Sequence, residues 1–369
     1  MKKPMYQQIV DDVKEKIYSG VLLADQLIPT QVELAQLYNT SEITSRRALT
    51  ELVNEGLIYR IRGKGSFVKD LGLVRALPAG QLPLKRIYFV YRSDRMDSLN
   101  HNFYLDLLSG LEEVCSEYGI DFALWEVGHE FVLPDDAESG FVLITHIHGS
   151  EEIPIEKLVE WKNENRRFVT VHFYYPHLQI PYVIADNLTG GYLATQHMLS
   201  LGHQRIGIIL TGRSQIDVNQ EFSLRLQGYK LALSQHRIEF DPSLVCVVEG
   251  ERELEEMGGA GFHRLMSLEH PPTAVFATSD YKAIGAIKAA KERNLRIPDD
   301  ISIVGYDDNI LSQYTNPGLT TVNQNADLLG RKAVELLMRW GETDSVLMKE
   351  EIVPKLIVRD STEEYIINN

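Results

Sequence analysis

From residue 85 onward the sequence alternates short apolar runs with amphipathic segments, and this alternation limits the possible folds more than any other feature. Eight of the runs have the length and the β-branched and aromatic content of buried strands. They are RIYFVY (86–91), DFALWEV (121–127), GFVLIT (140–145), RFVTVHF (167–173), RIGIIL (205–210), SLVCVV (243–248), TAVFAT (273–278) and ISIVGY (301–306). Helical stretches such as DLLSGLEEVCSEYG and SDYKAIGAIKAAKERN separate most of them. This order is typical of parallel, doubly wound sheets, and eight strands are generous for one sheet, so we predict two Rossmann-like lobes.

The N-terminal part has a different pattern, with three short helical segments. The first carries apolar side chains at four-residue spacing, at Ile9, Val13 and Ile17, which predicts an amphipathic helix. The second begins with Thr30, followed three residues later by Glu33. This pair predicts a capping box.

The third helical segment is SEITSRRALTELVNEG (41–56), with Ser41 as the predicted N-cap. Two β-prone runs follow it, LIYRI (57–61) and SFVK (66–69), and the residues RGKG join them. Three helices followed by a glycine-tipped hairpin predict an α+β winged helix-turn-helix domain.

The stretch DLGLVRALPAGQLPL (70–84) contains two prolines and two glycines and keeps neither helical nor strand periodicity. We therefore predict a winged helix-turn-helix DNA-binding domain over 1–69, a linker over 70–84, and a two-lobed domain over 85–369.

The net charge of −15 conceals an asymmetry along the chain. Residues 1–70 hold ten basic and nine acidic residues, whereas the remainder holds 27 basic and 43 acidic residues. The segment RIRGKGSFVK (60–69) contains four cations and no acid. Contact with nucleic acid is therefore expected in the first 70 residues only.

Several classes of protein are disfavoured by the sequence. No apolar run approaches the roughly 18 residues of a membrane helix, and the N-terminus lacks the apolar core of a signal peptide. We expect a cytoplasmic protein with Cys115 and Cys246 reduced in the core; a disulfide between them is the alternative. THIH (145–148), with His172 and His177, lacks nearby cysteine or carboxylate ligands, and no catalytic motif is present. We therefore expect no enzyme activity, no metal and no cofactor.

The N-terminal pattern resembles the GntR family DNA-binding domain. The resemblance covers nearly all of residues 4–69 and rests on Y-x-Q-I, I-P-T-x-x-E-L-A and S-x-x-T-S-R-R-A-L-T-E-L-V-N-E-G-L-I-Y-R-I-R-G-K-G-S-F-V. Members of this family read operators through the start of the third helix and the tip of the wing. Carried over position by position, the resemblance implies DNA contacts by Ser41, Glu42, Ile43, Thr44, Arg46, Arg62 and Gly63, with Arg47 and Lys64 as further candidates.

The residue types suit this role. Ser41 and Thr44 lie near a helix N-terminus, where backbone N–H groups favour a phosphate. Arg46 could bind a guanine edge through two hydrogen bonds, a contact worth about 1–3 kcal/mol of discrimination. The alternative is that Arg46 and Arg47 are ordinary solvated residues of the helix.

Glu42 departs from the family, which usually has arginine at this position. The carboxylate could interact favourably with the helix dipole and contact no base, a stabilisation of about 0.3–1 kcal/mol. It could accept a hydrogen bond from cytosine N4 and so select a different operator. It could also orient Arg46, four residues later, as an ion pair. We favour the second and third interpretations together.

The C-terminal part resembles the LacI family effector-binding domain, which is itself similar to periplasmic sugar-binding proteins. The stretches that carry the resemblance include VIADNLTGGYLATQHMLSLGHQRIGIIL, RLQGYKLAL and PPTAVFATSDYKAIGAIKAAKERNLRIPDDISIVGYDDN. The match is close over 182–362 and weaker over 85–181. It implies an α/β, two-lobed, periplasmic-binding-protein-like (type I) fold, and a GntR-like domain joined to such a sensor resembles the arabinose-responsive repressors of Gram-positive bacteria.

This resemblance also implies effector contacts. Arg225 matches the arginine that holds ligand hydroxyls, and Asp280 matches the aspartate that accepts from them; Asp280 could equally be the N-cap of the helix over 281–293. Phe103 and Tyr104 lie where aromatic side chains face the ligand, although core packing is the alternative for Phe103. Second-rank candidates are Asp307 and Asp308.

Together these features predict a homodimeric repressor of double-stranded operator DNA that a small sugar, a pentose such as arabinose, releases. Two alternatives stay open: a regulator that responds to a purine or nucleoside, and a sugar-binding transport component. Opposite charges at Arg225 and Asp280 suit ligand binding better than acid–base catalysis on sugars.

Overall fold

A computed structural model describes residues 4–18, 22, 26–54, 57–61, 65–69, 83–91, 102–128, 130–144, 153–214, 216–249, 254–340 and 349–365. The chain divides into two compact units, residues 1–82 and residues 83–369. Most of the predicted linker, residues 70–82, lies outside the described residues.

The first unit contains three helices and a small antiparallel sheet. The helices are α1 (Met5–Tyr18), α2 (Gln31–Leu37) and α3 (Glu42–Asn54). The strands are β1 (Leu27–Ile28), β2 (Ile58–Ile61) and β3 (Gly65–Val68), in the order β1-β3-β2. The predicted helices and hairpin are confirmed, whereas β1 was not predicted because two residues carry no strand pattern.

The helix signals act as predicted. Thr30 Oγ1 accepts from the N–H of Glu33 at 3.3 Å, and the N–H of Thr30 donates to Glu33 Oε2 at 2.7 Å, so the capping box is confirmed. Ile9, Val13 and Ile17 are buried in one cluster with residues of α2, α3 and the sheet. The four-residue spacing therefore identified the face of α1 that packs against the core.

The second unit contains two parallel sheets. The N-terminal lobe has a six-stranded sheet in the order β15-β8-β7-β6-β4-β5. Its strands are β4 (Arg86–Tyr91), β5 (Asp121–Glu126), β6 (Ser139–Leu143), β7 (Arg167–Val171), β8 (Tyr182–Ala185) and β15 (Lys349–Ile352). Its helices are α4 (Asn102–Glu117), α5 (Ile155–Asn163) and α10 (Ala326–Met338). Buried apolar clusters lie on both faces of this sheet, as the doubly wound prediction requires.

The C-terminal lobe is built on β9, with β12 and β13 on one side and β11 on the other, all parallel. The strands are β9 (Ile206–Ser214), β10 (Asp217–Val218), β11 (Val245–Val248), β12 (Ala274–Ala277) and β13 (Ser302–Val304), with a separate antiparallel pair, β14 (Thr321–Asn323) and β16 (Lys355–Ile357). The helices are α6 (Asn187–Ser200), α7 (Gln220–Gln235), α8 (Glu255–Leu265) and α9 (Asp280–Glu292).

Each of the eight apolar runs contains a strand, and in one of them Ser243 and Leu244 belong instead to a 3-10 turn (Pro242–Leu244) that precedes β11. Proline at the start of this turn and the Asp241 cap account for it, because the Asp241 carboxylate accepts from the N–H of Ser243 at 2.9 Å. The chain passes between the lobes after β8, after β14 and after β15. Two lobes joined by three crossings leave a cleft between the carboxyl ends of their sheets.

Candidate DNA-binding and effector sites

The first turn of α3 is locked by two hydroxyl groups. Ser41 Oγ accepts from the N–H of Thr44 at 3.2 Å, which confirms Ser41 as the cap, and the two hydroxyl oxygens lie 2.9 Å apart. Ser45, the next residue, is fully buried and anchors the helix to the unit. This turn therefore presents backbone N–H groups and two small hydroxyls to solvent, an arrangement that suits a phosphate group.

Ile43 and Arg46, three residues apart on α3, are both exposed. Ile43 is 72% exposed, so its side chain is open to a partner. An exposed apolar group beside an arginine suits the major groove, where thymine carries a methyl group and guanine carries two acceptors.

The Glu42 carboxylate has a neighbour other than the one we predicted. Its Oε2 lies 3.5 Å from the amide nitrogen of Gln31, at the start of α2. Within the described part of the chain, no ion pair joins Glu42 to Arg46, so that interpretation is not observed in this structure. The physical reason is that an exposed pair at this spacing is worth only about 0.2–0.5 kcal/mol.

Arg47 is directed elsewhere. Its guanidinium carbon lies 3.9 Å above the ring of Tyr6 on α1, a cation–π contact inside the first unit. Arg47 is therefore a less accessible DNA contact than Arg46 in this conformation. Three predicted wing residues, Arg62, Gly63 and Lys64, lie outside the described residues.

In the second unit, two contacts join the lobes across the cleft. The backbone N–H of Tyr174 donates to Gln220 Oε1 at 3.0 Å, and Gln220 Nε2 donates to the carbonyl of Tyr174 at 3.0 Å. Beside them, His172 Nε2 lies 3.6 Å from Glu221 Oε1, and both side chains are buried. The end of β7 and the start of α7 are thus held together by polar groups, which we call the lobe contact (His172, Tyr174, Gln220, Glu221).

Arg225 is buried one turn further along α7. Its Nε donates to Asn187 Oδ1 at 2.8 Å, and its Nη1 donates to the carbonyl of Thr278 at 2.5 Å. The guanidinium carbon lies 3.6 Å from the ring centroid of Tyr306. These partners hold the arginine at the carboxyl end of β12, where the cleft is.

Asp280 is fully buried at the same end of β12. Its Oδ2 accepts from the N–H of Asn309 at 2.7 Å, and its Oδ1 accepts from the hydroxyl of Thr321 at 2.6 Å. Burial, together with the neighbouring Asp307 carboxylate, raises the pKa of Asp280 well above its ordinary value. The carboxyl group therefore gains a proton more readily than an exposed aspartate does.

The predicted capping role of Asp280 is wrong. Ser279 caps α9, since its Oγ accepts from the N–H of Lys282 at 3.4 Å, and Asp280 is the first residue of the helix. The Asp280 carboxylate instead accepts from Asn309 and Thr321.

Asp307 and Asp308 both have positive φ angles, 115° and 55°. Such angles are strained for residues other than glycine and are concentrated at functional sites. Asp307 Oδ1 accepts from the amide of Gln324 at 2.6 Å, and Asp308 is paired with Arg359 at 2.6 Å. Asp307 therefore lies beside Asp280, whereas Asp308 is held mainly by its ion pair.

Two buried amides near these carboxylates have atoms that lack hydrogen bonds within the described part of the chain. They are Asn309 Nδ2 and Gln324 Oε1, and each residue is 2% exposed. Buried polar groups are normally paired, so these two atoms are candidate partners for a polar ligand.

Phe103 is buried in the core of the N-terminal lobe, as the packing alternative predicted. Its ring also lies 4.8 Å from that of His172, and Tyr104, half-buried, packs against its edge at 5.3 Å. The aromatic pair therefore lies next to His172 of the lobe contact.

Sequence reasoning missed three residues around Arg225 and the lobe contact, Asn187, Glu221 and Tyr306, and considered a fourth, His172, only as a metal ligand. Asn187 follows β8 and Tyr306 follows β13 closely, so a search for polar residues at strand carboxyl ends would have found both. His172 directly follows β7 and carries the same signal, whereas Glu221 carries none, because burial of a charged residue is set by tertiary packing.

Three further predictions concern chemistry elsewhere. Cys115 and Cys246 are free and buried, and burial raises the pKa of the Cys115 thiol to about 12, so both are inert core residues. The described residues contain no group of three side chains suited to a metal, and none of their helices is long and apolar enough to cross a bilayer. The THIH segment lies outside the described ranges.

Comparison with known proteins agrees with this geometry. Residues 5–68 match bacterial regulatory proteins of the gntR family, and residues 195–362 match the periplasmic-binding-protein-like domain. An arabinose metabolism transcriptional repressor of Halalkalibacterium halodurans is 28% identical over 379 residues, which cover 97% of this chain and 96% of that protein.

Two other matches each cover at least 70% of the chain. The transcriptional repressor CytR of Escherichia coli is 31% identical over 268 residues, 70% of this chain and 75% of CytR. A LacI family transcriptional regulator from Enterococcus faecium with bound ribose has a TM-score of 0.62 at 24% identity, over 76% of this chain and 100% of that chain. The chain belongs to the family of bacterial transcriptional repressors that join a GntR-type helix-turn-helix domain to a LacI-type, periplasmic-binding-protein-like sensor domain.

Proposed function

We propose that the protein represses genes of carbohydrate use and that a pentose, bound between the two lobes, releases it from its operator. Residues 1–69 bind the DNA, residues 70–84 are the linker, and residues 85–369 bind the sugar and form the homodimer. Arabinose is the first candidate, because the H. halodurans relative is an arabinose metabolism repressor that matches 97% of this chain. The E. faecium structure with bound ribose supports a pentose of similar size.

The polar groups at the end of β12 carry this proposal. Arg225 supplies donors, Asp280 supplies acceptors, and the unpaired atoms of Asn309 and Gln324 supply one more of each kind. A pentose presents several hydroxyl groups that both donate and accept, so it can pair with all of them. Two further carboxylates nearby, Asp307 and Asp308, disfavour an anionic ligand such as a sugar phosphate.

Operator recognition is assigned to the start of α3 and the wing. Ser41 and Thr44 bind a phosphate, Ile43 and Arg46 contact bases, and Glu42 accepts from a cytosine. The wing residues Arg62, Gly63 and Lys64 complete the surface, and Arg47 joins it only if it leaves Tyr6. Two copies of this surface in a dimer would read a pseudo-palindrome.

The test is ligand-dependent thermal stability of the full chain with L-arabinose, D-ribose, D-xylose, hypoxanthine and adenosine. A ligand at 100 times its dissociation constant adds about 2.7 kcal/mol of stability, which is easily visible as a rise in melting temperature. D-Arabinose, the mirror image, is the control for nonspecific stabilisation. A higher melting temperature with one pentose supports the proposal. A higher melting temperature with hypoxanthine or adenosine alone means that the effector is a purine or nucleoside and not a sugar. An unchanged melting temperature with all five compounds refutes them as effectors.

A further inference from the structure

Gln31 and Glu42 are the first residues of α2 and α3, the two helices of the helix-turn-helix. They are eleven positions apart in the sequence, yet Gln31 Nε2 lies 3.5 Å from Glu42 Oε2. Within the described ranges, Gln31 is the hydrogen-bond partner of the Glu42 carboxylate. The contact therefore joins two helix starts on the surface assigned above to DNA.

The backbone on each side of this contact is fixed by a cap. Thr30 closes the capping box that begins α2, and Ser41 caps α3. Gln31 and Glu42 directly follow these caps, so rotation of their side chains is the main freedom left to the pair. The fold thus holds the amide within reach of the carboxylate.

An amide differs from a cation as a partner for Glu42. The NH2 group of Gln31 faces the carboxylate, because the amide oxygen would be repelled, and it donates to one carboxylate oxygen without neutralising the charge. The other oxygen, Oε1, makes no hydrogen bond within the described part of the chain. Glu42 Oε1 therefore keeps its capacity to accept from a cytosine amino group.

The contact also reduces the freedom of the Glu42 side chain. A glutamate in solvent samples many rotamers and loses them when it binds a base, whereas a carboxylate already held by Gln31 loses fewer. The residues that follow the pair, Val32 and Ile43, are exposed and apolar, so their side chains offer no competing donor. A hydrogen bond of 3.5 Å is long and weak, so its orienting effect on Glu42 is modest.

We propose that Gln31 is a positioning residue for operator recognition, which holds one oxygen of Glu42 and directs the other at a base in the major groove. This rests on the proposed function, in which α3 enters the groove and Glu42 accepts from a cytosine. In a helix-turn-helix the helix before the recognition helix crosses the DNA backbone, which brings Gln31 to the edge of the same groove. Gln31 therefore acts on base preference through Glu42 and not on general affinity for DNA.

The experiment first locates the base pair that Glu42 contacts. Selection from random DNA with the full-length wild type gives the operator, and selection with Glu42→Gln identifies the position where discrimination between bases falls. Duplexes with each of the four base pairs at that position are then titrated with Gln31→Met, which keeps the length of the side chain and removes the donor. The matched control is Gln36→Met, because Gln36 lies on the same helix and is exposed.

Gln31→Met should lower the discrimination at that position about 2- to 10-fold and leave other positions as in the wild type, whereas Gln36→Met should change none of them. In the Glu42→Gln background, Gln31→Met should cause no further loss, because the carboxylate that it positions is absent. A merely structural role of Gln31 would instead weaken binding to all duplexes alike. If Gln31→Met does not fold, Gln31→Ala provides the same comparison.

Wild-type discrimination in Gln31→Met overturns the inference. Equal loss at every position, equal loss in Gln36→Met, or an undiminished further loss in the Glu42→Gln background overturns it as well. An unchanged consensus sequence for Glu42→Gln overturns the base contact proposed for Glu42, and the inference falls with it. The selection with Glu42→Gln thus distinguishes the two failures.

Discussion

Replacement of Gln220 by alanine tests whether the lobe contact supports sugar binding. The substitution removes two hydrogen bonds of 3.0 Å between the Gln220 amide and the backbone of Tyr174. Each bond is worth about 0.5–1.5 kcal/mol, and partial exposure places the pair near the lower end, at about 1–2 kcal/mol in total. If the lobes are apart without sugar and must meet to bind it, this cost appears in full as weaker binding, about 5- to 30-fold.

Calorimetric titration of the full chain with the pentose measures this change. The matched control is Gln235→Ala, at the other end of α7, whose amide oxygen accepts from Tyr192 within the C-terminal lobe. Gln235→Ala should bind the sugar like the wild type, because it leaves the lobe contact intact. Wild-type affinity in Gln220→Ala would refute the reasoning, since the interlobe bonds would then contribute nothing to the bound state.

Three further predictions concern packing, pH and operator choice. Gly228→Ala should lower the melting temperature strongly, because the new Cβ would lie 2.1 Å from the carbonyl oxygen of Leu188. Gly128→Ala is the control: its Cβ would have nothing within 4 Å, so the melting temperature should change little. Equal effects of the two substitutions would contradict the packing argument. Burial lowers the pKa of His203, so at low pH the unfolded chain binds a proton that the folded chain does not. The free energy of unfolding should therefore be full above about pH 6.5 and fall below it. Urea unfolding at pH 7.5 and 5.5, in variants that retain His203 as the one histidine, measures this, and greater stability at pH 5.5 would contradict it. Glu42→Gln should lower the discrimination between bases at one position of the operator by about 1–3 kcal/mol, as measured by selection from random DNA. An unchanged consensus sequence would show that Glu42 contacts no base and only interacts with the helix dipole.

The architecture was predictable because it depends on local patterns. The period of the apolar residues separates strands from helices, and Thr30 and Glu33 mark a helix start within four residues of sequence. The strands that were missed, such as β10 (Asp217–Val218) and β14 (Thr321–Asn323), have two or three residues and are too short to show a period. They depend on partners that the fold supplies.

The candidate sites were predictable in part. Arg225 and Asp280 came from motifs, and both lie at the carboxyl end of β12. The contact of Arg47 with Tyr6 joins residues on two helices, and the burial of Lys282 follows from Phe222 on a neighbouring helix. Contacts between distant segments decide which charged side chains face solvent, so these two residues could not be placed from sequence alone.

The most direct test of the central claim is reciprocal titration of the full-length protein. The operator is an oligonucleotide selected from random DNA by this protein, and the sugar is L-arabinose. Operator affinity is measured with and without saturating sugar, and sugar affinity with and without saturating operator. The account predicts that each ligand weakens the other by the same factor, about 5- to 150-fold for a coupling of about 1–3 kcal/mol. Unchanged affinities in both directions would contradict a sugar-released repressor, and mutual strengthening would show that the sugar holds the protein on its operator instead.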